Sequence, residues 1–318
     1  MSDNTTLAND VFRASVPDIR AFAGLLRGIC FSNSNQRATM TINKAGIVVF
    51  VEEARTLLGA ALIVKELFDE FVYIPEDGDG DDDDRPTVLS FQLNTILECL
   101  NIFGTASGSG SLVASHRQAW RKTNEESDNE NQGNVQKTGQ HGRAQNNVNG
   151  NIDSFFPRAD GKGTGMRLSY AGEGHGLVLL LAENSNGPTT TCELVTYEAE
   201  PQLDLPLDNR NVARQRAVSR PLLRIQAVGP FGSTEMDYPN DREVLETFEC
   251  DSTVSYIYRF SHITRTLRAL QGSSKTSLRI DGQGVLSLQF LSTSPSPKTG
   301  TQVDSIVDFR CLSIDDEM

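Results

Sequence analysis

Cysteine is scarce in this 318-residue sequence. The five present, Cys30, Cys99, Cys192, Cys250 and Cys311, are odd in number, far apart and contain no CxxC pair. A disulfide framework or a zinc site needs clustered spacing, so all five are expected to be reduced, small apolar residues. Tryptophan occurs once, at Trp120. The four histidines, His116, His141, His175 and His262, show no metal-ligand spacing, and no metal is expected. No apolar run approaches the roughly 20 residues that cross a bilayer, so no membrane role is expected. The residues after Met1, Ser-Asp-Asn-Thr-Thr, lack the basic and apolar regions of a signal peptide, which points to an intracellular protein. Two glycine-rich pentads, GKGTG (161–165) and GEGHG (172–176), lack the P-loop ending and a following helix. They read as turns or linker, and no cofactor is expected.

Cations are outnumbered by anions, 29 to 42, for a formal charge of −13. The deficit is local. Residues 76–84 (EDGDGDDDD) hold seven carboxylates, and Asp315, Asp316 and Glu317 add three. Without those ten the chain carries about −3, so a basic surface elsewhere is compatible with the composition.

Hydrophobic content of 38 % and charged content of 22 % fit a folded core diluted by unstructured sequence. The length suggests two domains. In the first, a helix opens at Val16-Pro17-Asp18, since proline is tolerated in a first turn. The run ATMTINKAGIVVFVEE (38–53) reads as a hairpin turning at Asn43-Lys44-Ala45-Gly46. TVLSFQL (87–93) is a strand, and Asn94 caps a short helix that Gly104 closes. From about 106 to 165 the text is rich in Asn, Gln, Gly and Ser, with seven basic and six acidic residues. It cannot bury enough apolar surface to offset its ordering entropy and is expected to be a disordered insertion. Strands GMRLSY, GLVLLLAE and TTTCELVTY (189–197) close this domain, placed at 1–197. An acidic, proline-bearing connector follows at 198–209.

The second domain, 210–318, reads as strands PLLRIQAV, STEMDYP (233–239) and STVSYIYRF. A helix SHITRTLRALQG, a strand pair TSLRIDGQGVLSLQFL and a last strand DSIVDFRCLS follow. TINKAGIVVF and RIDGQGVLSLQF rhyme: each reads Ile, then Asn or Asp, two residues, Gly and a β-rich run. Each follows a helix, which indicates duplicated β-helix-β units.

Both helices carry cations. On the first, Ile19, Phe22, Ala23, Leu26 and Ile29 form the core stripe and Arg20, Gly24 and Arg27 fall opposite. On the last, Ser261 is the expected N-cap, Ile263, Leu267 and Leu270 the expected stripe, and His262, Arg265 and Arg268 the other side. Several such helices side by side would offer phosphates a sequence-neutral, salt-sensitive track.

Residues 236–260 (MDYPNDREVLETFECDSTVSYIYRF), 94–104 (NTILECLNIFG), 44–54 (KAGIVVFVEEA) and 284–290 (GVLSLQF) together resemble the family of the Rad-one subunit of the nine-one-one checkpoint clamp, kin of the PCNA-like sliding clamps. The resemblance covers most of the chain outside the insertion and the acidic loop. It implies an α+β sliding-clamp fold with two similar domains, antiparallel sheets outside and helices inside. It implies a non-catalytic subunit of a heterotrimeric ring around double-stranded DNA, without sequence specificity, acting in DNA-damage checkpoint signalling and repair in the nucleus. The partners implied are Rad-nine-like and Hus-one-like subunits and a Rad-seventeen-type clamp loader. Arg20, Arg27, Arg265 and Arg268 are then the expected DNA-facing residues. Head-to-tail rings need two unlike edges per subunit. These are expected on 189–197, at Cys192, Leu194 and Thr196, and on 233–239, at Thr234, Met236 and Tyr238.

The chain departs from that pattern in one place. Before RPLLRIQAV the second domain should hold a strand, a helix and a strand, but only NRNVARQRAVSR (209–220) stands there. The second domain is therefore expected to be shortened, its first helix region missing or compressed.

Two other functional classes stand as alternatives. A metal-dependent 3′–5′ exonuclease needs isolated carboxylates on rigid elements around paired ions, and the consecutive acidic run has no such geometry. A clamp-like scaffold that does not encircle DNA is the other. Within the insertion, Ile152, Phe155 and Phe156 (NGNIDSFF, 149–156) are similar to a clamp-binding peptide, with Asn149 in place of the usual Gln.

Overall fold

A computed structural model describes residues 10–32, 35–75, 85–104, 106, 163–183, 187–201, 203–207, 223–239, 241–250 and 253–314. Trp120, the acidic run at 76–84, nearly all of the 106–165 insertion with Ile152, Phe155 and Phe156, and the arginine-rich 209–220 lie outside them.

The elements, in chain order, are β1 (Phe12–Val16), α1 (Arg20–Gly28), β2 (Arg37–Asn43), β3 (Gly46–Glu53), β4 (Leu57–Val64), β5 (Glu70–Tyr73), β6 (Thr87–Gln92), α2 (Leu93–Leu100), β7 (Gly165–Tyr170), β8 (Leu177–Ala182) and β9 (Thr189–Leu194). After the connector come β10 (Leu223–Gly229), β11 (Gly232–Tyr238), α3 (Phe260–Gln271), β12 (Lys275–Ile280), β13 (Leu286–Pro295) and β14 (Gln302–Cys311). The strands form a five-stranded sheet, β5-β1-β7-β8-β9, a seven-stranded sheet, β12-β13-β14-β4-β3-β2-β6, and a separate hairpin, β10-β11. Every ladder is antiparallel.

Local sequence explains most of these elements. β2 alternates, burying Ala38, Met40 and Ile42, as a one-sided strand must. α1 buries Ile19, Phe22, Ala23, Leu26 and Ile29 completely, the stripe expected from a 3.6-residue period. β1, β4 and β5 do not stand out in the sequence. β4 reads LLGAALIV and is buried at six of its eight positions, so it lacks the period-two signal of a half-exposed strand.

Three stretches share one order of elements: β1-α1-β2-β3-β4, then β6-α2-β7-β8-β9, then a bridge at Ile257 followed by α3-β12-β13-β14. Ile257 bridges Ile314 beyond β14 as Ser90 bridges Tyr197 beyond β9. The rhyme in the sequence marks equivalent turns of the first and last copies. Asn43 Oδ1 accepts the N–H groups of Ala45 (2.8 Å) and Gly46 (3.1 Å). Asp281 Oδ1 accepts those of Gln283 and Val285, both at 2.9 Å. Each glycine is required: a Cβ on Gly46 (φ 154°) would sit 2.2 Å from the carbonyl oxygen of Ile63, and one on Gly284 (φ 81°) would sit 2.7 Å from the Tyr256 ring.

The first and last copies join edge to edge. β4 pairs with β14 from Leu57↔Cys311 to Leu62↔Ile306. Phe31 and Phe290 both pack on Phe309, with centroids 5.9 and 5.8 Å away, so one hydrophobic core runs through both halves of the chain. The connector is tied across this sheet. Arg37 pairs with Glu200 at 2.7 Å, Glu52 accepts the Leu203 N–H at 3.1 Å, and Arg310 donates to the Leu205 carbonyl at 2.8 Å.

Three expectations are corrected. Asn94 does not cap α2; Gln92 holds that position, while Asn94 accepts the Gln36 N–H and donates to the Ser32 carbonyl. Ser261 likewise lies inside α3, whose N-cap is Arg259. The stripe of α3 is rotated: His262, Thr266 and Ala269 are buried, while Leu267 and Leu270 stay 47 % and 44 % exposed. The reason is that α3 meets α1 through small residues. A Cβ on Gly28 would lie 3.4 Å from that of Ala269, a close approach that a leucine at this crossing would prevent.

Candidate nucleic-acid interface and open sheet edges

The helices lie in the order α2, α1, α3, with α1 in contact with both others. Three of the four expected arginines gather at the C-terminal end of α1. Arg27 sits in its last turn, half-buried, and donates to the carbonyl of Ala106 beyond α2. Arg268 of α3 donates to the Cys30 carbonyl at 3.3 Å, and Arg265 to the Phe31 carbonyl at 2.7 Å. The Cys30 and Phe31 carbonyls lie just past the C-cap of α1, at the negative end of its macrodipole, and cations from α3 meet them there. Arg20 sits two turns away at the other end of α1, about 10 Å along its axis.

Two of the four charges are compensated. Arg265 forms a two-pronged pair with Glu53, both distances 3.1 Å. Arg20 is exposed and donates from Nε to Asp18 at 2.8 Å. The hydrogen bond and charge of Asp18 raise its pKa. Arg27 meets the Ala106 backbone oxygen instead of a carboxylate, and burial lowers its pKa. The four arginines thus share a helix layer, but Arg265 and Arg268 also act as staples between α3 and α1. Glu53 has no local signal in the sequence, because it lies 212 residues from Arg265.

His262, which sequence spacing placed on the basic side of its helix, is 6 % exposed beneath this layer. Its Nε2 lies 3.4 Å from Thr56 Oγ1, and its Nδ1 is buried without a hydrogen-bond partner. Burial pushes its pKa down. Arg259 and Arg265 push the same way, while Glu53 opposes them. Among the described residues no group of three or more His, Cys, Asp or Glu is placed to hold a metal ion.

Among the described residues β9 pairs with β8 alone and so ends the five-stranded sheet with an open edge. The expected edge residues differ in what they face. Leu194 is buried in the core; Cys192 is half-buried and packs on the same core; Thr196 lies just past the strand and donates to the His175 carbonyl at 2.7 Å. The Cys99 thiol of α2 lies against Cys192. Burial first, and then the hydrogen bond its S–H gives to Cys192, pushes its pKa up to about 12. None of the five cysteines is joined in a disulfide.

Thr234, Met236 and Tyr238 lie on β11, paired to β10 through Ala227↔Thr234, Ile225↔Met236 and Leu223↔Tyr238. Residues 57–75 and 222–239 begin with leucine and end with Tyr-Ile-Pro and Tyr-Pro respectively. By that correspondence β10 takes the place of β4, and β11 that of β5. In the first copy it is β4, not β5, that joins another copy.

Comparison with known proteins gives a consistent picture. The family model for "Repair protein Rad1/Rec1/Rad17" matches residues 11–219 and 213–292. A "Cell cycle checkpoint protein RAD1" from Mus musculus is 27 % identical over 303 residues, covering 87 % of this chain and 85 % of the relative. A "DNA damage checkpoint control protein rad1" from Schizosaccharomyces pombe is 27 % identical, covering 88 % and 81 %. A "DNA repair exonuclease REC1" from Mycosarcoma maydis is 25 % identical, covering 65 % of this chain and 59 % of that protein.

Proposed function

The chain belongs to the Rad1/Rec1/Rad17 family of repair proteins and has its α+β clamp fold, and from that membership we propose that it is a non-catalytic subunit of a heterotrimeric DNA clamp in DNA-damage checkpoint signalling and repair. It acts in the nucleus, beside Rad-nine-like and Hus-one-like subunits, and a Rad-seventeen-type loader places the ring on double-stranded DNA.

The observation that carries this reading is the β4–β14 junction. It is an antiparallel seam between the last strands of two repeats within one chain. β9 is the last strand of the middle repeat, and among the described residues its outer edge carries no strand. A neighbour's strand in β10's position would extend β9 as β14 extends β4. Heterologous contacts of this kind, repeated, close a ring. β10 offers the complementary edge, so the role proposed for Thr234, Met236 and Tyr238 shifts to the strand beside them.

Arg20, Arg27 and Arg268 contribute cations to the inner wall, Arg20 and Arg268 exposed and Arg27 half-buried. Contacts so few and so independent of base edges give salt-sensitive, sequence-neutral retention. Co-expression with the two partner subunits tests the reading. It expects a complex that is retained on closed circular DNA and released on linearisation. Magnesium-dependent loss of 3′ ends by the pure chain, abolished by one carboxylate substitution, would favour instead the exonuclease named for the Mycosarcoma relative.

A further inference from the structure

Two of the five thiols meet. Cys99 lies in the last turn of α2 and Cys192 on β9. The backbones of these elements come together where α2 packs on β9. Both side chains are half-buried against the common core, and the Cys99 S–H donates to the Cys192 sulfur. The other cysteines are placed elsewhere. The Cys30 thiol donates to the Ser32 carbonyl at 3.1 Å, just past α1. Cys311 is buried at the end of β14, and Cys250 lies between β11 and α3.

Local sequence puts the two sulfurs there. α2 buries Leu93, Ile96 and Leu100, and Cys99, three residues after Ile96, borders that stripe. On β9 the two-residue period turns Cys192 to the same face as Leu194, which is buried in the core. Cys192 therefore projects from the sheet towards the helix layer, where Cys99 meets it. The pair joins that layer to the outermost strand of the five-stranded sheet, which among the described residues is held on one side only. Both residues keep some exposure, so a solute as small as hydrogen peroxide reaches them.

We propose that Cys99 and Cys192 form an oxidisable dithiol, which a hydroperoxide converts into a disulfide tying α2 to β9. Hydrogen-bonded thiols need only side-chain rotation to reach the roughly 2 Å of an S–S bond. Cys99 keeps its proton, its pKa being held up to about 12, so the sulfur that attacks first is Cys192. Its electron pair takes one peroxide oxygen, the O–O bond breaks, and the second oxygen leaves as water with the Cys192 proton. The product is a sulfenic acid. The Cys99 sulfur then attacks the Cys192 sulfur, the S–O bond breaks, and the hydroxyl leaves as a second water with the Cys99 proton. Two thiols and one peroxide thus give one disulfide and two waters, each sulfur losing one electron to the peroxide oxygens.

In a reducing compartment, which the proposed nuclear role implies, such a bond is transient and serves as a sensor rather than a staple. It closes a loop over the whole stretch from Cys99 to Cys192 and so restricts the unfolded chain. It also removes the freedom of β9 to fray from β8. Resting on the clamp reading above, an edge strand already held in place gives up less freedom when a neighbour's strand adds to it. Oxidation therefore strengthens the β9 junction and reduction loosens it.

The test treats the full chain with millimolar hydrogen peroxide, alkylates the remaining thiols in denaturant, and maps the peptides without reduction. The expected product is a Cys99 peptide joined to a Cys192 peptide and released by dithiothreitol. The oxidised chain should melt several degrees higher, and the β9 amides should exchange more slowly. Cys99→Ser should abolish the link and leave a sulfenic acid on Cys192 that dimedone labels; Cys192→Ser should leave Cys99 reduced. The proposal is overturned if both thiols of the unaltered chain stay alkylatable, if either passes to sulfinic acid without the link, or if Cys192 pairs with another cysteine instead. A disulfide that forms and leaves partner binding unchanged would overturn the coupling to the β9 junction. Failure of reduced and oxidised chains alike to bind either partner subunit would sink the clamp reading and leave the dithiol standing.

Discussion

Gly59 of β4 stands directly opposite Phe309 of β14, and the absent side chain is what lets the two repeats close on each other. A Cβ there would lie 2.8 Å from the Phe31 ring, 3.2 Å from Val51 and 3.3 Å from Phe309. The seam is therefore packed to the limit at one point.

Gly59→Ala should destabilise the chain by about 1–3 kcal/mol through overpacking. Urea unfolding followed by circular dichroism would show a lower midpoint. An unchanged midpoint would mean that the seam is looser than this packing.

Asn43→Ala and Asp281→Ala should each cost about 1–3 kcal/mol, since each strips the acceptor from two turn N–H groups. The Asp281 change should be the larger, because Asp281 is 2 % exposed and one of its donors is a buried N–H. Equal, negligible effects in chemical denaturation would remove the claim that the two turns are equivalent devices.

Arg265→Ala should lower stability more than Arg20→Ala, because it leaves Glu53 without its two-pronged partner and frees the Phe31 carbonyl. Arg20→Ala and Arg27→Ala together should instead weaken DNA retention by the assembled complex. The salt dependence of retention should fall by roughly one unit of slope for each phosphate no longer neutralised. Retention measured against salt concentration separates the two roles. Replacing all four arginines at once would confound them.

The pKa of His262 is lowered in the folded chain, chiefly by burial. Below its ordinary pKa of about 6.5 the unfolded chain takes up the proton more readily than the folded one. The stability tied to the neutral ring is thus present above that pKa and lost as pH falls through and below it. Thermal unfolding between pH 7.5 and 5 should show a falling Tm, and His262→Gln should flatten that slope. The charged groups that act on the ring are Arg259, Arg265 and Glu53. A steeper slope in the variant would contradict the assignment.

Much of this arrangement is legible in the sequence, and where it is not the reasons are physical. The stripe of α1 can be read because its partners are apolar on one side only. The rhyme between residues 41–50 and 279–290 can be read because an Asx side chain and a glycine are both needed at fixed offsets. β4 escapes notice because a strand buried on both faces has no alternation. The periodicity of α3 points to the wrong face because burial there follows its crossing with Gly28, a partner far away in sequence, and because Leu267 and Leu270 are the residues left uncovered. The arginines stand out as a group, yet their backbone and Glu53 partners depend on tertiary neighbours that no local spacing encodes. For the edges, β9 is legible from its position before the connector. The proposed shift of the second edge from β11 to β10 rests on the pairing of β4 with β14.

In the proposed ring, β9 receives a neighbouring subunit's strand. Amide exchange over Thr189–Leu194, with and without the Rad-nine-like and Hus-one-like subunits, tests it most directly. Alternate N–H groups along β9, those facing away from β8, should slow markedly when one partner is present. Of Thr191→Pro and Cys192→Pro, the change at the outward-facing N–H should abolish that partner's binding. Binding that leaves every β9 amide as fast as in the free chain, and survives both prolines, would contradict it.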